Sequence, residues 1–180
     1  WTGLMVLGFF LGMGISAHSL DLLLGDPLRL RLSKGALRQV ALYSLLGAAA
    51  LGLYYVRETG AWWFYLFVVF GVFITAAYNL ELFGGRFHSD AWFAGSWAVF
   101  PAIVGYVVNA GTWVPSPAIV GLAMMCYAFA MVQRVLSTRA RYIRRWIGAG
   151  TEDLRVVEAG LAWLCVAGPL LAVVLMLGRM

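Results

Sequence analysis

The chain has 180 residues, of which 63% are hydrophobic and 12% charged, and its mean hydropathy is +0.86. Soluble domains carry about 25% charged residues, so this composition is typical of a membrane protein. It excludes a soluble nucleotide-binding fold and a disulfide-stapled secreted module, because the polar surface and the cysteines that they need are missing. We expect the formal charge of +5 to reflect loop orientation and not nucleic acid binding.

Six apolar runs of nearly membrane-spanning length follow one another along the chain. They are Trp1–Ser16, Gln39–Val56, Ala61–Tyr78, Ala91–Val108, Pro117–Val132 and Val156–Gly178. None alternates apolar and polar residues as a barrel strand does, so the predicted fold is an all-α polytopic membrane helix bundle with about six transmembrane helices. We expect residues 1–180 to form a single transmembrane domain, and the start at Trp1 indicates a piece of a larger bundle.

The basic residues predict the orientation of these helices. Eleven of the thirteen lie in the loops after the first, third and fifth predicted helices, which include Ala17–Arg38. Because cytoplasmic loops retain Lys and Arg, we expect these loops inside a bacterial or archaeal cytoplasmic membrane and both chain ends outside. Gly8 and Gly12 are spaced for close helix packing in the first helix. Cys126 and Cys165 lie within apolar runs, as packed hydrophobic residues do.

Ionisable residues crowd the predicted cytoplasmic ends of the first four helices. Both histidines and four of the eight acids lie there, namely His18, Asp21, Asp26, Glu81, His88 and Asp90. His18, Asp21 and Glu81 directly continue apolar runs. Because uncompensated charges at the edge of hydrocarbon are costly, we expect these three residues and His88 to converge around one cavity. The alternative is that they are ordinary loop residues that are solvated or paired with arginines.

Carboxylates and arginines together can hold an anion, either directly or through a divalent cation. An oxygen-ligated Mg²⁺ ion suits the carboxylates of this group, whereas the histidines lack the spacing of a zinc site. A second basic stretch follows the fifth run, with arginines at Arg134, Arg139, Arg141, Arg144 and Arg145. It fits either an interfacial segment that contacts anionic lipid headgroups or a clamp for a diphosphate.

Two segments carry a resemblance to a known family. Ala17–Leu28, with Asp21 and Asp26, and Ala77–Pro101, with Tyr78, resemble motif-bearing parts of the UbiA-type intramembrane prenyltransferases. The resemblance implies a UbiA-like bundle in which the six helices correspond to the second to seventh of nine. One helix would then be missing before the chain and two after it.

The sequence departs from the family pattern at several positions. Asp21 alone keeps one of the four positions of the first aspartate motif, and Leu82 stands where a lysine is expected. The loop after the fifth helix carries the arginine run where the second aspartate motif belongs, with only Glu152 and Asp153 as acids. The layout therefore supports the UbiA-like fold better than the chemical motifs support the activity.

The resemblance also implies a substrate and a reaction. A polyprenyl group would be transferred from an allylic diphosphate to an acceptor, with Mg²⁺ on Asp21, Asp26 and Glu81. Asp21 and His88 are the implied catalytic residues, and His88 would be the base. The diphosphate would be bound by Arg29, Arg31, Arg86, Arg139 and Arg141. Aromatic rings suited to shelter an allylic cation are those of Tyr78, Trp97, Phe100 and Tyr106.

The missing second aspartate motif favours a different function. On that interpretation the chain is a non-catalytic accessory subunit that contacts a lipid, quinone or pigment in a larger membrane complex. Either function predicts membrane lipids, an isoprenoid or quinone, and other membrane subunits as partners, without nucleic acid. A transporter is the third interpretation, but only Pro101 and Pro169 interrupt the predicted helices.

Overall fold

The structure is a computed structural model that describes residues 1–25, 32–148 and 150–177. These residues form six helices and no strand: α1 Thr2–Leu24, α2 Lys34–Thr59, α3 Trp62–Asn79, α4 Asp90–Ala110, α5 Pro117–Trp146 and α6 Glu152–Leu177. Helices α1 to α5 are long and apolar enough to cross a membrane, and α6 has 26 residues. The predicted all-helical fold, with helices long and apolar enough to span a membrane, is therefore confirmed. Gly178, the end of the sixth predicted run, lies outside the described residues.

Two helices continue beyond their predicted ends. Ala17–Leu24, predicted as the start of a loop, is the last part of α1, and the arginine-rich stretch predicted as a loop is the last part of α5. At about 1.5 Å per residue α5 is about 45 Å long, more than the roughly 30 Å of a hydrocarbon core. The loop assignments were wrong because hydropathy marks where a helix leaves the hydrocarbon and not where it ends.

Capping residues set several of the helix ends. The Ser33 hydroxyl accepts a hydrogen bond from the Ala36 N–H at 3.1 Å at the start of α2, and Ser89 caps the start of α4 in the same way. Helix α2 ends at Gly60 with φ 68°, and α4 ends at Gly111 with φ 66°. Both glycines adopt the left-handed conformation that a side chain would disfavour.

Helices α1 and α4 each contain one widened, π-helical turn, at Phe10–Ser16 and Gly95–Val99. In α1 the Ala17 N–H donates to the Gly12 carbonyl, five residues earlier. In α4 the widened turn ends two residues before Pro101, which has no N–H and whose ring crowds the carbonyl four residues earlier, that of Trp97. Such turns relieve this conflict while the helix continues, and they occur often at functional sites.

The contacts divide the chain into two compact units, residues 1–126 and 127–180. In the first unit α1 packs closely on α2, since a Cβ placed on Gly12 would lie 3.4 Å from the Ala48 Cβ. This agrees with the close packing predicted from Gly8 and Gly12. One end of this unit has a core of Met5, Tyr55, Val56, Phe64, Val104, Val107 and Val108. The expectation of one domain over residues 1–180 stays a prediction.

The second unit joins the end of α5 to α6. Its small core consists of Ala140, Ile143 and Leu154. Beside this core the Arg144 Nε donates to Glu158 Oε1 at 3.1 Å, and the Arg144 Nη2 makes a second hydrogen bond to the same oxygen. The pair is about half exposed, so it contributes modestly to the pairing of the two helices.

Candidate functional site

Four ionisable side chains lie near one another at one end of the first unit. His18 and Asp21 lie on the last turns of α1, Glu81 follows α3, and His88 precedes α4. The Asp21 carboxylate lies within electrostatic range of His18, Glu81 and His88. We call these four residues the polar cluster. The structure therefore places the end of α1 beside the α3–α4 connection and these four side chains, all of them exposed, near one another. Their expected convergence around one cavity stays a prediction.

Hydrogen bonds to main-chain carbonyls hold both imidazoles of the polar cluster. The His88 Nδ1 lies 3.0 Å from the Tyr78 carbonyl oxygen, and the His18 Nδ1 lies 2.8 Å from the Gly14 carbonyl oxygen. Because a carbonyl only accepts, each Nδ1 carries the donated proton. In the neutral ring Nε2 is then left with a lone pair, which suits both histidines to accept a proton or a hydrogen bond.

Glu81 occupies its place in the polar cluster through an unusual backbone conformation. Its φ is 50°, and that of Phe83 is 57°, both in the left-handed region. That region costs a residue with a side chain about 1–2 kcal/mol. The turn is held by the Leu82 N–H, which donates to the Ala77 carbonyl at 3.0 Å. Strain of this kind often accumulates at functional sites, which makes the α3–α4 connection a candidate functional segment.

An apolar cavity lies among helices α1 to α4 of the first unit. It encloses about 670 Å³, which includes the space open at its mouth. One end is lined by Leu4, Phe64 and Val104, and the other by Met13, Thr75, Ser96 and Trp97. From Phe64 to Thr75 the lining of α3 extends over about 16 Å, half of the roughly 30 Å hydrocarbon core. Among the described residues the lining holds two hydroxyl side chains and no charged one.

A layer of aromatic rings separates this cavity from the polar cluster. The Trp97 ring lines the cavity and lies 4.5 Å from the Tyr78 ring, and Tyr78 in turn stacks on His88 at 4.5 Å. Phe100 also lines the cavity, whereas the Tyr106 hydroxyl donates to the Val114 carbonyl near the other end of the unit. None of the four polar cluster residues lines the cavity, so the cluster lies beyond its end.

Arg86 is exposed in the α3–α4 connection. Asp26, Arg29 and Arg31 lie outside the described residues.

Arg139 and Arg141 belong to α5 in the second unit. There the Arg139 guanidinium lies 5.4 Å from the centre of the Tyr142 ring. Arg141 donates hydrogen bonds to the hydroxyls of Ser137 and Thr138, one turn earlier on the same helix. The diphosphate-binding role of all these arginines stays a prediction.

The polar cluster does not offer the set of ligands that Mg²⁺ prefers. In the part of the chain that the structure describes, no group of three or more His, Cys, Asp or Glu side chains is arranged to hold a metal ion. Asp21 and Glu81 are accompanied by two imidazoles, whereas Mg²⁺ prefers an octahedral set of oxygens. The described residues of this cluster therefore do not fit Mg²⁺ by themselves.

Two buried serines were not anticipated from the sequence. Ser16 and Ser96 each lie in one of the widened turns, and their hydroxyls are buried without a hydrogen-bond partner among the described residues. The available signal was a serine within a glycine-containing helical segment, five residues before Pro101 in the case of Ser96. Such a signal indicates an irregular turn, but it does not reveal that the hydroxyl has no partner.

Comparisons with protein-family models, with curated proteins and with solved structures give no match to this chain. The two main features of the site are the apolar cavity and the polar cluster beyond its end.

Proposed function

We propose that this chain is a UbiA-like membrane protein that binds an isoprenoid lipid. The apolar chain of the lipid occupies the cavity among α1 to α4, and its polar end points toward the polar cluster. The observation that carries the proposal is the position of the cavity. The Tyr78 ring lies between Trp97, at one end of the cavity, and His88 of the polar cluster. The lining is almost entirely apolar, as a site for a hydrocarbon chain requires.

The membrane setting determines which contacts give such a site its selectivity. An apolar chain gains little by moving from lipid tails to an apolar cavity, because both surroundings are hydrocarbon. Shape and the polar end of the ligand must therefore supply the preference for one lipid over the bulk bilayer. The shape of the cavity and the hydroxyls of Thr75 and Ser96 at its Trp97 end supply these two contributions.

Prenyl transfer is the reaction that the UbiA resemblance implies for such a lipid. Asp21 and His88 would act at its polar end, where the Nε2 of His88 is suited to accept a proton from an acceptor. An accessory subunit would use the same cavity to hold a lipid or quinone without a reaction. Binding is common to both functions, so it is the property to test first. The proposal keeps the polar cluster on the cytoplasmic side, following the basic loops.

A cavity-filling substitution tests the proposed binding. Gly71 lines the cavity, and a Cβ at this position would lie 3.5 Å from the Phe100 ring, so Gly71→Leu places its branched side chain in or against the cavity. Gly121 is the control, because nothing lies within 4 Å of a Cβ placed there. We expect Gly71→Leu to weaken isoprenoid binding about tenfold or more, and Gly121→Leu to leave it unchanged.

The measurement is equilibrium binding of labelled farnesol to the full chain in nanodiscs. Lipids that co-purify with each variant are identified by mass spectrometry in parallel. Equal binding by Gly71→Leu and Gly121→Leu would refute the cavity as the binding site. Failure of the unsubstituted chain to bind any isoprenoid would refute the proposed function itself.

A further inference from the structure

Buried helical serines of this chain fall into two classes. In regular turns Ser19 donates to the Ile15 carbonyl at 2.7 Å, and Ser44 donates to the Val40 carbonyl at 2.6 Å. This bond to the carbonyl four residues earlier is the usual solution for a helical serine. Ser16 and Ser96 are equally buried but have no partner among the described residues. The difference coincides with the widened turns, in which the backbone bonding of the helix is shifted by one residue.

An unpartnered buried hydroxyl is unfavourable, because it has lost its hydrogen bonds to water without replacement. Native structures seldom tolerate this, so each case needs an explanation such as a ligand or a bound water. Ser96 lines the apolar cavity at the end nearest the polar cluster, next to Trp97. Ser16 has the same unsatisfied hydroxyl but does not line the cavity. A cavity ligand can therefore reach the Ser96 hydroxyl, and Ser16 is the matched control.

We propose that the cavity ligand carries a neutral oxygen, a hydroxyl or a carbonyl, that hydrogen-bonds to the Ser96 hydroxyl. This inference rests on the proposed function and specifies the chemical class of the lipid. The serine hydroxyl can donate to a carbonyl and can accept from a hydroxyl, so it suits a prenyl alcohol or a prenylated quinone.

The surroundings of Ser96 favour a neutral group over a diphosphate. Besides Ser96, the described lining offers only the Thr75 hydroxyl and the Trp97 indole N–H as polar groups, and no cationic side chain. A multiply charged anion placed there would lose its hydration without gaining a counter-ion. A single neutral oxygen needs only one or two hydrogen bonds, which this end of the cavity can supply.

The test compares ligands that share one chain and differ at its end: farnesol, farnesene and farnesyl diphosphate. Their affinities are measured by competition with labelled farnesol on the full chain in phosphatidylcholine nanodiscs. We expect farnesol to bind about tenfold more tightly than farnesene, as one hydrogen bond of ordinary strength provides. Farnesyl diphosphate is expected to bind no more tightly than farnesol.

Substitutions then assign the preference to one residue. Ser96→Ala is expected to abolish the preference for farnesol over farnesene, whereas Ser16→Ala is expected to retain it. Because neither hydroxyl has a partner to lose, both variants are expected to be at least as resistant to unfolding as the unsubstituted chain. Ser44→Ala removes a satisfied hydroxyl and is expected to be less resistant.

Several outcomes would overturn the inference. Equal affinity of the unsubstituted chain for farnesol and farnesene would do so without any variant, and it would indicate that a bound water satisfies Ser96. A preference that persists in Ser96→Ala, or tighter binding of the diphosphate, would also contradict it. In each of these cases isoprenoid binding, and with it the proposed function, would still stand. Absence of binding by all three ligands would instead refute both.

Discussion

Gly52→Ala is expected to destabilise the first unit, because the added methyl group has no room. A Cβ placed on Gly52 of α2 would lie 2.6 Å from the Val68 Cγ2 of α3. Gly105 of α4 is the matched control, since nothing lies within 4 Å of a Cβ there. In an open helix interior Gly→Ala gains about 0.5–1 kcal/mol, whereas overpacking costs about 1–3 kcal/mol. Gly52→Ala should therefore be less stable than Gly105→Ala by about 1–3 kcal/mol.

The free energy of unfolding is measured by titrating the detergent-solubilised full chain with dodecyl sulfate and following helicity by circular dichroism. Val68→Ala removes the methyl group that the new Cβ would meet, so it should relieve the cost of Gly52→Ala in the double variant. The cycle isolates this coupling, expected at about 1–3 kcal/mol. Equal stability of Gly52→Ala and Gly105→Ala, or a coupling near zero, would refute the close approach of α2 and α3.

Two further predictions concern the polar cluster. Because φ of Glu81 is 50°, Glu81→Gly should be more stable than Glu81→Ala by about 1 kcal/mol in the same unfolding assay; equal stability would argue against the left-handed conformation. With Mg²⁺ and allylic diphosphates, we expect at most weak prenyl transfer. Its rate should fall about a hundredfold in Asp21→Asn. It should be unchanged in Glu58→Gln, which alters an exposed acid at the end of α2. Transfer that Asp21→Asn leaves intact would remove the reaction from this cluster.

The positions of all six helices could be predicted from the sequence because each is built on an apolar run. The ends of the helices could not be predicted in the same way. Helix α5, for example, continues beyond its apolar run through five arginines and ends at Trp146. Alternate loops must lie on the same side of a membrane, which is why the convergence of His18 with His88 could be anticipated. The lack of a hydrogen-bond partner for the Ser96 hydroxyl could not be predicted, because it depends on the backbone bonding of a single turn.

The widened turn of α1 has a geometric consequence for the polar cluster. Successive residues of an α-helix are rotated by about 100° around its axis. A turn that contains one additional residue therefore rotates everything after it by about the same angle. His18 and Asp21 both follow the turn at Phe10–Ser16, so their direction is fixed within the apolar part of α1 and does not depend on the loop after Leu24. Deleting one residue from this turn would point the two side chains away from Glu81 and His88 while leaving the helix its apolar length.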